Sequence, residues 1–115
     1  MTKWVIREEG GALWLHRPHA PRMDFFAVSE FPEASRHILA HEIRKDLWRE
    51  LQNLRGFSPV VKIKRHAKGL TVQAGGQVSG RSWPKALAEA QITALLTDPT
   101  KRARWIAHAA RKQVS

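Results

Sequence analysis

The sequence predicts an α+β fold: an N-terminal β-hairpin, a long helix, a small antiparallel sheet and two C-terminal helices. Three observations carry this. Leu39, Ile43, Leu47, Leu51 and Leu54 recur at helical spacing. From Val60 the apolar period changes to two, as a strand requires. Glycine, serine and proline collect at the points where the period changes. The stretch 59–96 holds the sheet and the helix that follows it, and the rest of the chain is organised around it.

The first strands are predicted by Trp-Val-Ile-Arg at 4–7 and Ala-Leu-Trp-Leu-His at 12–16, which flank Glu-Glu-Gly-Gly. β-favouring residues on both sides of a glycine loop signal a hairpin. Pro18 and Pro21 then break regular structure. Residues 23–28 are predicted as a short third strand, with Phe25 and Phe26 on opposite faces.

The long helix is expected over 32–55, with Pro32 in its first turn and Gly56 as its stop. Its apolar stripe is Leu39 or Ala40, Ile43, Leu47, Leu51 and Leu54, with Trp48 at the border. In the sheet, Val61 and Ile63 should face one side and Lys62 and Lys64 the other. After a turn at 67–69, Leu70, Val72 and Ala74 continue the apolar face, opposite Thr71 and Gln73. Gly75-Gly76 is expected to turn the chain into a further strand over 77–81, since glycine tolerates positive φ.

Ser82 is expected to cap the next helix and Pro84 to lie near its first turn. Its buried stripe is expected at Leu87, Ala90, Ala94 and one of Leu95 and Leu96. Asp98-Pro99 separates it from a last helix with Ala103, Ile106, Ala107 and Ala110 on one face and Lys101, Arg102, Arg104, Arg111 and Lys112 around the rest.

A length of 115 residues predicts a single domain, 1–115. Within it, 1–30 reads as a hairpin and loop extension, 32–96 as an α-β-β-β-α core and 99–112 as a basic amphipathic helix. The absence of cysteine excludes disulfides, thiolate catalysis and cysteine-ligated zinc. With no bilayer-spanning apolar run and no signal-peptide pattern, a cytoplasmic location without membrane attachment is expected.

Charge points to partners. The net charge is +10, and residues 57–115 carry eleven basic side chains against Glu89 and Asp98 alone. A field of one sign on part of a small domain attracts polyanions. Lys62, Lys64, Arg65 and Lys68 form the densest cluster. With Arg81 and Lys85 they could follow a phosphate backbone, supported by Arg102 and Arg104. The plain alternative is an edge strand guarded by lysine. Of the five tryptophans, Trp4, Trp14 and Trp48 are expected in the core. Trp83 and Trp105 neighbour basic residues but are also read as core.

The order helix, strands, helix across about 43–96 resembles a double-stranded-RNA-binding domain. Glu50 and Gly56 match that family's glutamate and glycine six residues apart. Leu-Thr-Val-Gln-Ala-Gly-Gly at 70–76 is similar to its strand before a glycine turn. Gly80-Arg81-Ser82 and the alanine-rich run after it are similar to the start of its second helix. Of the family's lysine cluster there, Lys85 stands here. The resemblance implies an RNA partner in preference to DNA.

Gly75-Gly76-Gln77 matches the tripeptide of peptide-release factors, but its surroundings read as a tight turn. His37 with His41, or His16 with His19, could supply two metal ligands, fewer than a zinc site needs. No nucleophile triad, P-loop or dinucleotide fingerprint is present. The expectation is therefore a small non-enzymatic nucleic-acid-binding protein, without cofactor or metal, of low sequence specificity. The alternative is a protein-interaction or regulatory adaptor, for instance phage-derived, that docks an acidic protein partner or forms a homodimer.

Overall fold

Five strands and three helices follow the α+β order in a computed structural model that describes residues 4–18, 22–80 and 82–114. They are β1 (Val5–Glu9), β2 (Ala12–His16), β3 (Phe25–Phe31), α1 (Arg36–Leu51), β4 (Ser58–His66), β5 (Gly69–Gln77), α2 (Lys85–Thr97) and α3 (Pro99–Val114). The strands form one antiparallel sheet in the order β1-β2-β4-β5-β3. The residues before the long helix are thus no extension. They supply three of the five strands, and β3 lies beside β5 where a strand over 77–81 was expected.

That expected strand is absent among the described residues. β5 runs straight through Gly75 and Gly76 and ends at Gln77. The glycines serve close approach: a Cβ on Gly75 would meet the Phe25 carbonyl oxygen at 2.0 Å, and one on Gly76 the Ser58 carbonyl oxygen at 2.2 Å. A turn that does need glycine is the β1–β2 loop, where Gly10 and Gly11 have φ of 61° and 78°. Two successive positive φ values match the twist of a two-residue hairpin.

Helix α1 begins later and ends earlier than the sequence predicts. Phe31 belongs to β3, Ser35 is the N-cap, and its hydroxyl accepts from the Ile38 N–H at 3.2 Å. Leu51 is the last helical residue, five before Gly56. The predicted stripe is buried at Leu39, Ala40, Ile43, Leu47 and Leu51, with Leu54 partly buried beyond the helix. It packs on Leu13, Leu15, Val61, Ile63, Leu70, Val72 and Ala74 of the sheet. Each such aliphatic side chain contributes about 1.5–3 kcal/mol by leaving water.

The later helices bury other faces than expected. In α2 the buried residues are Ala88, Ile92, Leu95 and Leu96, whereas Leu87, Ala90 and Ala94 are exposed. Its N-cap is Pro84, not Ser82, and no side chain caps it. In α3, Trp105 and Ala109 are buried and Ile106 is partly buried, while Ala103, Ala107 and Ala110 are exposed. The large indole supplies more apolar area than the alanines and sets the rotation. Asp98 caps α3, accepting from the Lys101 N–H at 3.0 Å.

All three helices gather on one side of the sheet, leaving the other side open. The β3 edge is also occupied. Glu89 of α2 accepts from the Phe26 N–H at 3.2 Å, and Arg102 of α3 donates to the Glu30 carbonyl at 2.8 Å. No helix is long and apolar enough to cross a membrane among the described residues.

Candidate nucleic-acid interface

Strand alternation decides which side chains reach the open face. Leu13 and Leu15 of β2 point to the helices, so Trp14 points away from them. Trp14 is thus on the open face rather than in the core. Register extends this into two rows across all five strands. One reads Arg7, Trp14, Lys62, Gln73, Val28; the next reads Glu9, Ala12, Lys64, Thr71, Glu30.

The Trp14 indole is flanked by cations from the strands on either side. The Arg7 guanidinium carbon lies 5.1 Å and the Lys62 ammonium 4.9 Å from its ring centre. Lys62, Lys64, Thr71 and Gln73 line a shallow depression of about 160 Å³. At the β3 end the face turns apolar: Phe26 is 40% exposed and Val28 51%. His66 bridges the sheet to its turn. Its Nδ1 accepts from the Lys68 N–H at 3.1 Å and its Nε2 pairs with Glu30 at 2.9 Å. That bond, with the hydrogen bond from Thr71, holds the Glu30 carboxyl below its ordinary range.

The eight basic residues singled out by sequence do not converge on one surface. Lys62 and Lys64 share the open face, and Lys68 sits in the turn at its end. None of the three makes an ion pair among the described residues. Arg65 follows Lys64 by one residue and so faces the helix side, where it pairs with Glu33 at 2.7 Å. That hydrogen bond raises the Arg65 pKa. Lys85 is exposed at the start of α2, which packs on the helix side of the sheet. Arg81 lies outside the described residues.

Arg102 and Arg104 are bound within the fold. Arg102 donates to the Ser29 hydroxyl at 3.0 Å and to the carbonyls of Leu96 and Glu30, and its guanidinium carbon lies 4.0 Å from the Phe31 ring centre. Arg104 pairs with Asp46, which is 5% exposed. The same carboxylate accepts from Trp105 Nε1 at 2.8 Å and Arg49 at 3.0 Å. Three donors from two helices therefore meet at one buried carboxylate. Trp105 is fully buried core, and Trp83 packs on Phe25 at 4.9 Å between ring centres.

Sequence reasoning places Gln73 opposite the apolar row, as found, and misses Arg7, Trp14, Phe26 and Val28 as members of the face. The alternation of β2 was a sufficient signal for Trp14, because its neighbours Leu13 and Leu15 compete for the core. Register was needed for the others. A second depression, of about 320 Å³, lies between α1 and α2, lined by Leu51, Leu54, Pro84 and Ala88 with Glu50 as its charged group. An acidic rim suits no polyanion. No group of three His, Asp or Glu side chains among the described residues could hold a metal ion. No protein-family model, curated protein or solved structure matches this chain.

Proposed function

We propose that this chain is a non-enzymatic nucleic-acid-binding protein that lays a strand across the helix-free face of its sheet. Lys62 and Lys64 contact phosphates, with Lys68 and Arg7 at the ends of the track. The observation that carries this reading is a pair of lysines without carboxylate partners, side by side on a face no helix covers. RNA is preferred to DNA on the resemblance described above. Phosphate contacts carry no sequence information, and Thr71 and Gln73 are the uncharged polar groups in the depression, so specificity is low. Exposed Phe26 and Val28, on the same face across β5 from the lysines, favour unpaired bases over the duplex that the resemblance implies, because a duplex stacks its apolar surfaces inside.

The test is a salt series with labelled single-stranded RNA, single-stranded DNA and both duplexes. Four phosphate contacts give a slope of about −3 in log K against log salt for a single strand. Charge reversal at Lys62 and Lys64 should remove most of the binding, whereas reversal at Lys85 should not. Equal loss from both, or no binding at low salt, overturns the reading.

One observation favours a second reading, a protein partner added to the sheet. β1 ends the sheet, and among the described residues no hydrogen bond outside the strands reaches it from another element's backbone. An extended peptide or a second copy could pair there. Light scattering that shows a dimer, lost on Ile6→Pro, would support that reading; a monomer would exclude the homodimer.

A further inference from the structure

Four side chains near the β1 end of the sheet form a cluster that the lysine face does not involve. Trp4 precedes β1, Arg17 follows β2, and Arg44 and Trp48 lie one turn apart on α1. Trp4 and Trp48 pack against the core, on the helix side of the sheet. The Arg17 guanidinium carbon lies 5.3 Å from the Trp4 ring centre and 5.2 Å from that of Trp48. That of Arg44 lies 4.6 Å from Trp4. One indole thus gathers two cations.

Among the described residues neither cation has a carboxylate partner within ion-pair distance. The Nε of each is buried and has no hydrogen-bond partner, and these are the two such side-chain atoms among the described residues. Arg44 does donate to His41 Nδ1 at 3.2 Å, a neutral acceptor. Burial lowers the Arg44 pKa; the Arg17 charge lowers it further, against a smaller pull upward from Glu42 than burial exerts downward. The other half-buried arginines are matched: Arg7 with Glu9, Arg36 with Glu8, and Arg102 with oxygens of Ser29, Glu30 and Leu96.

A buried N–H without an acceptor is costly, and two like charges gathered at one indole add to the cost. Stacking on indole recovers part of it and leaves the planar N–H fork unfilled. What the cluster lacks is an acceptor carrying about two negative charges. A phosphate monoester carries that charge near neutral pH and offers three acceptor oxygens. A phosphodiester carries one charge and is flanked by two sugars, which fits a walled cluster less well.

We propose that Arg17 and Arg44 form a receptor for a phosphate monoester, walled by Trp4 and Trp48. Such a group can come from a free nucleotide or from the end of a nucleic-acid strand. The proposal does not rest on the lysine face, which lies on the other side of the sheet.

The experiment follows the arginine Nε–H resonances of the full chain by NMR while inorganic phosphate is added. Saturable shifts of the Arg17 and Arg44 signals, with Arg102 unmoved, are expected in the wild type and in a Lys62→Gln/Lys64→Gln variant. No saturable shift, or an equal shift at Arg102, overturns the proposal and leaves the cluster a structural stack. The wild-type titration alone decides this, so the result survives a failure of Arg44→Gln to fold. Where Arg44→Gln and Arg17→Gln fold, phosphate affinity should fall about tenfold or more in each. An adenosine monophosphate and a pair of oligonucleotides with 5′-phosphate or 5′-hydroxyl ends then separate the sources. Tighter binding of the phosphorylated oligonucleotide than of the mononucleotide assigns the strand end; the reverse assigns a free nucleotide. Failure of oligonucleotide binding with retained phosphate binding would sink the lysine-face reading and spare this one.

Discussion

The β4–β5 hairpin and helix α3 look alike in sequence, each a run of lysine and arginine among small or β-branched residues, yet their charges have opposite fates. Lys62, Lys64 and Lys68 are without ion-pair partners on an open face and its turn. Arg102 and Arg104 are joined to β3, α2 and α1 by hydrogen bonds and an ion pair. The difference lies in what surrounds each element. A strand with one bare face leaves Lys64 exposed and Lys62 half-buried, with no other element packed over them. A helix lying on two others brings its cations against their carbonyl oxygens and carboxylates. Residue type reinforces this: the guanidinium fork reaches several acceptors at once, whereas the ammonium is a mobile point charge. Clustered charge in a sequence therefore reports a field, and only packing decides which charges a ligand can use.

The largest effect expected from this contrast is structural. Asp46→Ala removes the acceptor shared by Arg104, Arg49 and the buried Trp105 Nε1–H, and should lower stability by about 2–4 kcal/mol. Urea unfolding measures it, and nucleic-acid affinity of the folded fraction should not change. Next, Lys62→Glu/Lys64→Glu should weaken binding about tenfold to a hundredfold at low salt and flatten the salt slope, with stability nearly unaltered. A stability loss as large as that of Asp46→Ala would erase the distinction between the two regions. Arg102→Gln should behave as the mirror image. It should cost about 1–2 kcal/mol by freeing the Glu30 carbonyl and the Phe31 ring face, with binding intact.

The smallest effect is a pH dependence on α1. Burial first, then Arg44, Lys45 and His37, lower the His41 pKa below its ordinary value of 6.5, with Glu42 opposing. The unfolded chain then binds the proton more tightly than the folded one. Its contribution to stability is complete above that ordinary value and is lost as pH falls from there toward the folded value. A His41→Gln variant should show a shallower rise of stability with pH between about 5 and 7, read from unfolding midpoints.

Strands with strong alternation were legible from sequence. Val61 and Ile63 against Lys62 and Lys64, and Leu70, Val72 and Ala74 against Thr71 and Gln73, lie as their period demands. The α1 stripe was legible because large aliphatics occupy one face only. In α2 the apolar residues surround the helix, so no phase was marked, and Ala88 and Ile92 took the core in place of Ala90 and Ala94. Strand order was hidden as well, since β3 reaches β5 from the far side of α1 in sequence. Pairings such as Arg104 with Asp46, 58 residues apart, leave no local trace.

The occupied β3 edge sets a limit on how copies of this chain could associate. Glu89 and Arg102 fill backbone groups that an incoming strand would need, while no described residue blocks the β1 edge in this way. A sheet with a single usable terminus can be extended once; two molecules joined back to back through it leave no further terminus to grow from. Self-association by strand pairing, if it occurs, stops at a two-fold pair and cannot run on into a filament.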